Sequence, residues 1–395
     1  MHCATSGPQP EPVRPARNQS LPVWPRPAAA LVLLFVFQPL CAFANTGTPM
    51  LWASVAHLAL GNVLLGCLEG ALLAKWFGVP YGRAIRIMIL ANYLSAWVGF
   101  PFMQWLHDQM AALQIAREFF VLQLLLAYGL TLVLEWPFVA WIVRGIPNAG
   151  KVSVKGSLGV QTLTYLLLFC VYAPLSNISL LTQWRPVSPD RLPLPSDLAV
   201  FYIAKEDGRV RLMGANPAED VDVGPQQLRL ADGASLELAE SPTDTNTWAL
   251  MSGKSVVLDR LISRTALDPY QASFTRRSFV AVGPSVYRVG QATTNSAWRP
   301  GWMAWPEVGA WFQRDKERIS LGWGTPLGGW SVWRVIPMPG DLYLVVLGDQ
   351  ICLANLAQRE ITVLRYGPDA LAFLRDQIEW AEIGVEASSR TDPVR

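Results

Sequence analysis

Glu69, Asn92, Glu135 and Gln161 are the side chains of this sequence best placed to do chemistry, because each stands inside a long apolar run at a fixed remove from a basic residue. Glu69 lies six residues before Lys75, Asn92 six after Arg86, Gln161 six after Lys155, and Glu135 nine before Arg144. On helices rising ~1.5 Å per residue, the first three stand about 9 Å and the fourth about 14 Å inside the basic ends, which makes them one polar layer. A carboxylate at such depth costs roughly 3 kcal/mol, so Glu69 and Glu135 are expected to face a bundle interior, paired or protonated, with Asn92, Gln161 and Arg86 as the available partners. Two roles fit the layer. One is a proton or ion relay, or an intramembrane acid and base; the other is a hydrogen-bonded clamp that sets how the helices pack.

A second candidate is aromatic. Trp298, Trp302, Trp305, Trp311, Trp323, Trp330 and Trp333 fall within 36 residues. Broad, electron-rich indole faces can stack on sugars or cage a cation, and Trp298, Trp302, Trp305 and Trp311 are the members read as a binding surface. The competing reading is a β-domain core, since tryptophan is highly buried on average.

Metal and nucleophile chemistry find little support. His57 is the only histidine inside an apolar span and His107 stands in a connecting loop, so no histidine pair has metal-ligand spacing, and neither a metal nor any other cofactor is expected. The C-terminal half contains no histidine, which removes the usual serine or cysteine triad there. Asp315, Glu317, Asp341 and Asp349 offer carboxylates, but no spacing selects a glycosidase pair among them. Binding rather than catalysis is the expectation.

The elements that must position these residues follow from composition. Residues 1 to 184 hold ten Lys or Arg and five Asp or Glu, whereas residues 185 to 395 hold 22 and 25. The first half is adapted to lipid and the second to water. With no basic stripe in the second half, nucleic acid is not an expected partner.

Residues 28 to 44 follow Arg14, Arg17 and Arg26 and end in Ala42-Phe43-Ala44, the pattern of a signal peptide cleaved after Ala44, with an uncleaved first helix as the alternative. Residues 45 to 184 form a transmembrane domain with spans at about 51–74, 86–106, 119–143 and 158–181. Lys75, Arg83 and Arg86 fill the first connecting loop, and Arg144, Lys151 and Lys155 the third. The positive-inside rule makes both loops cytoplasmic, in agreement with a cleaved signal. The expected setting is a bacterial-type inner membrane, multi-pass, with the C-terminal domain periplasmic. Trp52, Trp76, Trp105, Trp141 and Trp184 fall near span ends as interfacial anchors, while Gly66 and Gly70 form a small-xxx-small pair for close helix approach.

Residues 185 to 197 carry four prolines and read as a stiff, extended linker. Residues 198 to 395 change to short alternating runs, an all-β antiparallel domain. Hairpins are predicted at 199–204/209–212, at 227–230/235–238 around Asp232-Gly233, and at 248–251/255–258. Four consecutive strands are predicted at 330–336, 342–347, 350–355 and 360–365, a pattern that a propeller blade and a sandwich sheet share. The only cysteine in the domain is Cys352, so no disulfide forms within it.

These elements predict a membrane protein whose periplasmic domain binds an envelope protein or glycan without catalysis. The alternative is a small transporter or intramembrane enzyme using Glu69 and Glu135. Four spans would then need a homo-oligomer to enclose a pathway.

Overall fold

The computed structural model describes residues 57–110, 112–225, 228–231, 234–264, 285–286, 298–303, 309–325, 327–330 and 332–378. The signal segment, Trp52, Trp305, the Trp302 side chain and the Asp232-Gly233 turn lie outside the described residues.

Among the described residues, four helices are long and apolar enough to cross a membrane. They are α1 (Asn62–Phe77), entered through a π-helical turn at His57–Gly61, then α2 (Tyr81–Met110), α3 (Ala116–Val143) and α4 (Ala149–Tyr172). Gly78, at φ 68°, closes α1 in the left-handed conformation that glycine adopts without strain, and its N–H caps the Ala74 carbonyl. The fourth helix starts and stops earlier than the hydropathy predicts. Lys151 and Lys155 are exposed on it while Ser153, Gly156 and Val160 face inward, and Pro174 follows its end in a short 3-10 turn. A short α5 (Ser179–Gln183) then leads into the β domain.

The central sheet has six strands: β1 (Arg185–Pro186), β17 (Glu360–Tyr366), β16 (Gln350–Asn355), β15 (Leu342–Leu347), β14 (Val332–Pro337) and β8 (Ser285–Val286), in that order. Strands β14 to β17 are antiparallel neighbours at the positions the alternating pattern predicts; β1 and β8 join the edges in parallel.

Both faces of this sheet are covered. Leu344 and Val346 pack into a core with β2 (Leu198–Ile203), β3 (Val210–Leu212), β6 (Thr247–Ser252), β7 (Ser255–Ser263) and β18 (Ala370–Leu374). Tyr343, Val345 and Leu347 pack into another, with β10 (Gly309–Arg314), β11 (Glu317–Leu321) and the hairpin of β12 (Trp323–Thr325) and β13 (Gly328–Trp330). Two-sided burial explains why these strands read as nearly continuous apolar runs. Among the described residues the sheets close into neither a barrel nor a propeller. The four-strand run is therefore no propeller blade but the centre of a layered antiparallel arrangement.

Two hairpin predictions match the pairing of β2 with β3 and of β6 with β7. The third does not. Residues 228–231 are not a strand, and β5 (Glu237–Glu240) pairs instead with β6. The proline-rich segment is extended, yet it is held against the sheet: Arg185 and Arg191 both pair with the buried Glu360 carboxylate, and Leu192 is buried in the first core.

The second core continues into the bundle. Met103 and Leu106 of α2, Leu113, and Ala116 and Phe119 of α3 share it with Trp184, Phe312, Trp323 and Trp330. Burying a side chain of this size is worth roughly 1.5–3 kcal/mol, so the join is a packed interface rather than a tether.

Candidate functional site

The polar layer exists as one hydrogen-bonded cluster. The buried stripe of α1 runs Asn62, Leu65 and Gly66, Glu69 and Gly70, Leu73, at helical spacing. On α2 the corresponding face is Ala84, Ile87 and Met88, Ala91 and Asn92, Ser95. Gly66 and Gly70 let these faces meet backbone to backbone, since a Cβ at Gly66 would fall 2.5 Å from the Ile89 Cα.

Within that contact the Asn92 amide donates to the Glu69 carboxylate and, at 3.0 Å, to the Met88 carbonyl. Across the bundle, Glu135 of α3 accepts from the Ser95 hydroxyl at 2.5 Å and from the Gln161 amide of α4. Gln161 and Thr164 also lie within reach of Glu69, and the two carboxylates are electrostatic neighbours. Each of the four helices supplies at least one member. Glu69, Asn92, Glu135 and Gln161 are all buried.

Arg86 is not part of the layer. It is exposed and donates to the Gly82 carbonyl of its own helix at 2.8 Å. Six helical residues separate it from Asn92, a rotation of about 600°, which carries its side chain to another face of α2. The direct donors to the two carboxylates, Asn92, Ser95 and Gln161, are thus neutral. Carboxylates held only by neutral donors in an apolar bundle can take up a proton or hold a cation, or can serve as fixed acceptors between helices.

Of the four tryptophans read as a binding surface, the structure describes the side chains of Trp298 and Trp311, and both are packed against neighbours. Trp298 is 2% exposed in the second core, with the Arg314 guanidinium 4.4 Å from its ring centroid. Trp311 is half-buried against Gly301, where a Cβ would fall 2.1 Å from the ring, and Arg318 covers it at 4.8 Å. Trp323 and Trp330 are buried edge to face, centroids 4.8 Å apart. Trp184 is likewise no interfacial anchor: it is buried and donates its indole N–H to the Ser320 carbonyl at 2.7 Å. Core packing accounts for Trp184, Trp298, Trp323 and Trp330, while Trp311 packs between Gly301 and Arg318. Among the described residues, the large apolar side chains the β domain leaves exposed are Val221, Trp333 and Tyr366.

One polar pair is not apparent from spacing alone. His107 sits not in a loop but on the last turn of α2, buried between Phe119, Trp323 and Trp330. Gln123 of α3, completely buried, donates to His107 Nδ1 at 3.4 Å and to the Leu327 carbonyl of the β12–β13 turn at 3.3 Å. The signal was present in the sequence, since Met103, Leu106 and His107 continue the helical spacing beyond the length a span needs.

Among the described residues no group of three or more His, Cys, Asp or Glu side chains is arranged to hold a metal ion. Several carboxylates of the β domain are held in ion pairs: Asp349 with Lys205, Glu317 with Arg314 and Arg359, and the buried Asp220 with Arg365. The chain matches no protein-family model, and no curated protein or solved structure is significantly similar to it.

Proposed function

We propose that this chain is a non-enzymatic, membrane-integral binding module whose β domain faces the periplasm and engages a protein or glycan of the cell envelope. The observation that carries this reading is the continuous core joining α2, α3 and the β12–β13 hairpin. A domain packed onto helix ends holds one orientation relative to the membrane, which suits presentation to a fixed partner and lets the bundle feel binding. Lys75, Arg83, Arg86, Arg144, Lys151 and Lys155 all belong to the helix ends away from this core. The positive-inside rule puts that end in the cytoplasm.

In-cell photo-crosslinking from position 333 or 366, the exposed aromatic sites, tests the reading. It expects an adduct with an envelope component that persists in Glu69→Gln and Glu135→Gln. Labelling of either position only after the cytoplasm is opened would refute the orientation, and the absence of any adduct would refute the binding role.

The neutral-donor network around Glu69 and Glu135 favours a second reading, a small transporter or intramembrane enzyme working as a homo-oligomer. It expects both glutamine variants to abolish proton-coupled flux or turnover while the protein stays folded.

A further inference from the structure

We infer that His107 and Gln123 form an acid-released latch between the helix bundle and the β domain. The inference rests on the docking geometry, not on what the β domain binds. Both hydrogens of the Gln123 amide nitrogen are committed, one toward Leu327 O and one toward His107 Nδ1. Nδ1 must therefore accept, which places the ring proton on Nε2 and keeps the imidazole neutral.

Protonation makes Nδ1 a donor as well, so two N–H groups then face each other. Turning the Gln123 amide over does not repair this, because its oxygen would then oppose the Leu327 carbonyl. Two further polar atoms of the pair add no side-chain bond: His107 Nε2 and Gln123 Oε1 are buried without a hydrogen-bond partner. A charged ring would thus be buried with its only side-chain hydrogen bond broken, and the β12–β13 turn would lose its anchor on α3.

The groups facing His107 can be named element by element. On α2 the neighbour is Asp108, exposed and bonded to Gln104; on α3 it is Gln123 beside the apolar Phe119. The β12–β13 hairpin contributes Trp323, Trp330 and the Gly328-Gly329 backbone and no charge. Between β15 and β16 stands Asp349, already paired with Lys205. Burial opposes a charge on the ring, whereas Asp108, the Gly329 backbone and Asp349 favour a proton there and the indoles can interact with a cation; Asp108 and Asp349 are each also engaged, with Gln104 and Lys205. Gly328 fits the same design. At φ 135°, where a Cβ would stand only 2.9 Å from His107 Nδ1, it lets the turn close onto the ring.

Hydrogen exchange on the full-length protein in lipid nanodiscs, corrected for intrinsic rates, tests the latch from about pH 8 to about pH 5. Protection of residues 323–330 and 113–123 is expected to fall about tenfold or more as His107 titrates. Only three histidines are present, so histidine-selective NMR gives the midpoint against which that fall must coincide. His107→Gln should abolish the pH step. Gln123→Glu supplies a carboxylate for the charged ring but, like the turned-over amide, sets an oxygen against the Leu327 carbonyl, so it should leave the junction less protected at about pH 8 and shrink or reverse the acid step. A step that persists in His107→Gln, a junction that stays protected or tightens at low pH in the wild type, or a Gln123→Glu protein with the full wild-type acid step would overturn the inference.

Discussion

Gly70 on α1 lies so close to Ile85 on α2 that a Cβ added to it would stand 2.4 Å from the Ile85 Cα and 2.6 Å from its backbone nitrogen. Backbone atoms cannot step aside as a flexible side chain can. Gly70→Ala is therefore expected to push the helices apart, at a cost of at least about 2 kcal/mol, and to loosen the Asn92–Glu69 bond beside it. Thermal unfolding in detergent checks this against Gly82→Ala, where a Cβ meets nothing within 4 Å and no such loss is expected.

Removing a carboxylate from the layer separates packing from hydrogen bonding. Glu135→Ala removes the carboxylate acceptor of the Ser95 hydroxyl and the Gln161 amide; the hydroxyl keeps the Asn92 carbonyl at 3.1 Å, so a loss of about 1–3 kcal/mol is expected, mainly from Gln161. Glu135→Gln keeps a carbonyl for one of them and should lose less. Melting temperatures for both variants equal to that of the wild type would show that Glu135 contributes nothing to holding the bundle.

The β domain carries its own acid sensitivity. Burial pushes the Asp220 carboxyl up, but Arg365, the Tyr202 hydroxyl and the Gly214 N–H together hold it below its ordinary 3.8. A depressed carboxyl stabilises fully above its unfolded-state value, and that stability is lost as pH falls through the folded-state value. The window therefore opens below about pH 4. Asp220→Asn should lower stability by roughly 3 kcal/mol at neutral pH, because Arg365 is left buried, and should flatten the profile in that window. Denaturant melts at pH 7 and below pH 4 read both effects.

Glu360 fastens the proline-rich segment to the sheet through Arg185 and Arg191. Arg191 is 58% exposed and the following Leu192 is buried, so trypsin can reach the arginine but not seat the peptide bond. Glu360→Ala is expected to release the segment and open the Arg191–Leu192 bond to cleavage. Mass spectrometry of a timed digest detects the new fragments, and an unchanged digest would mean that the backbone bonds of β1 to β17 suffice.

The parts of this fold that could be read from the sequence are those decided locally. Leu342–Leu347 and Gln350–Asn355 are apolar runs separated by a Gly-Asp turn, and the structure pairs them at that register. The partner of Glu237–Glu240 was not legible, because pairing to Thr247–Ser252 is settled by the core and not by the nearer turn residues. The polar layer was legible as depth along each helix, whereas the exclusion of Arg86 needed rotation about the axis as well. Trp184 and His107 were misplaced for a shared reason. Both stand beside a predicted span end, and only the docked β domain buries them.

The length of α2 has a consequence of its own. Its 30 residues extend about 45 Å, against the ~30 Å of a bilayer's hydrocarbon, and the surplus carries Leu106 and His107 into the second core. One helix thus has two appointments, with Glu69 and Glu135 through Asn92 and Ser95, and with the tryptophan hairpin through His107. A single residue inserted between Ser95 and Met103 would lift the second by about 1.5 Å and swing it by about 100°. An insertion of about seven residues, near two full turns, restores the bearing but displaces the second set by about 10.5 Å along the axis. The helix is a ruler with an angular key, and substitutions on its exposed apolar face should be tolerated far better than changes in its length.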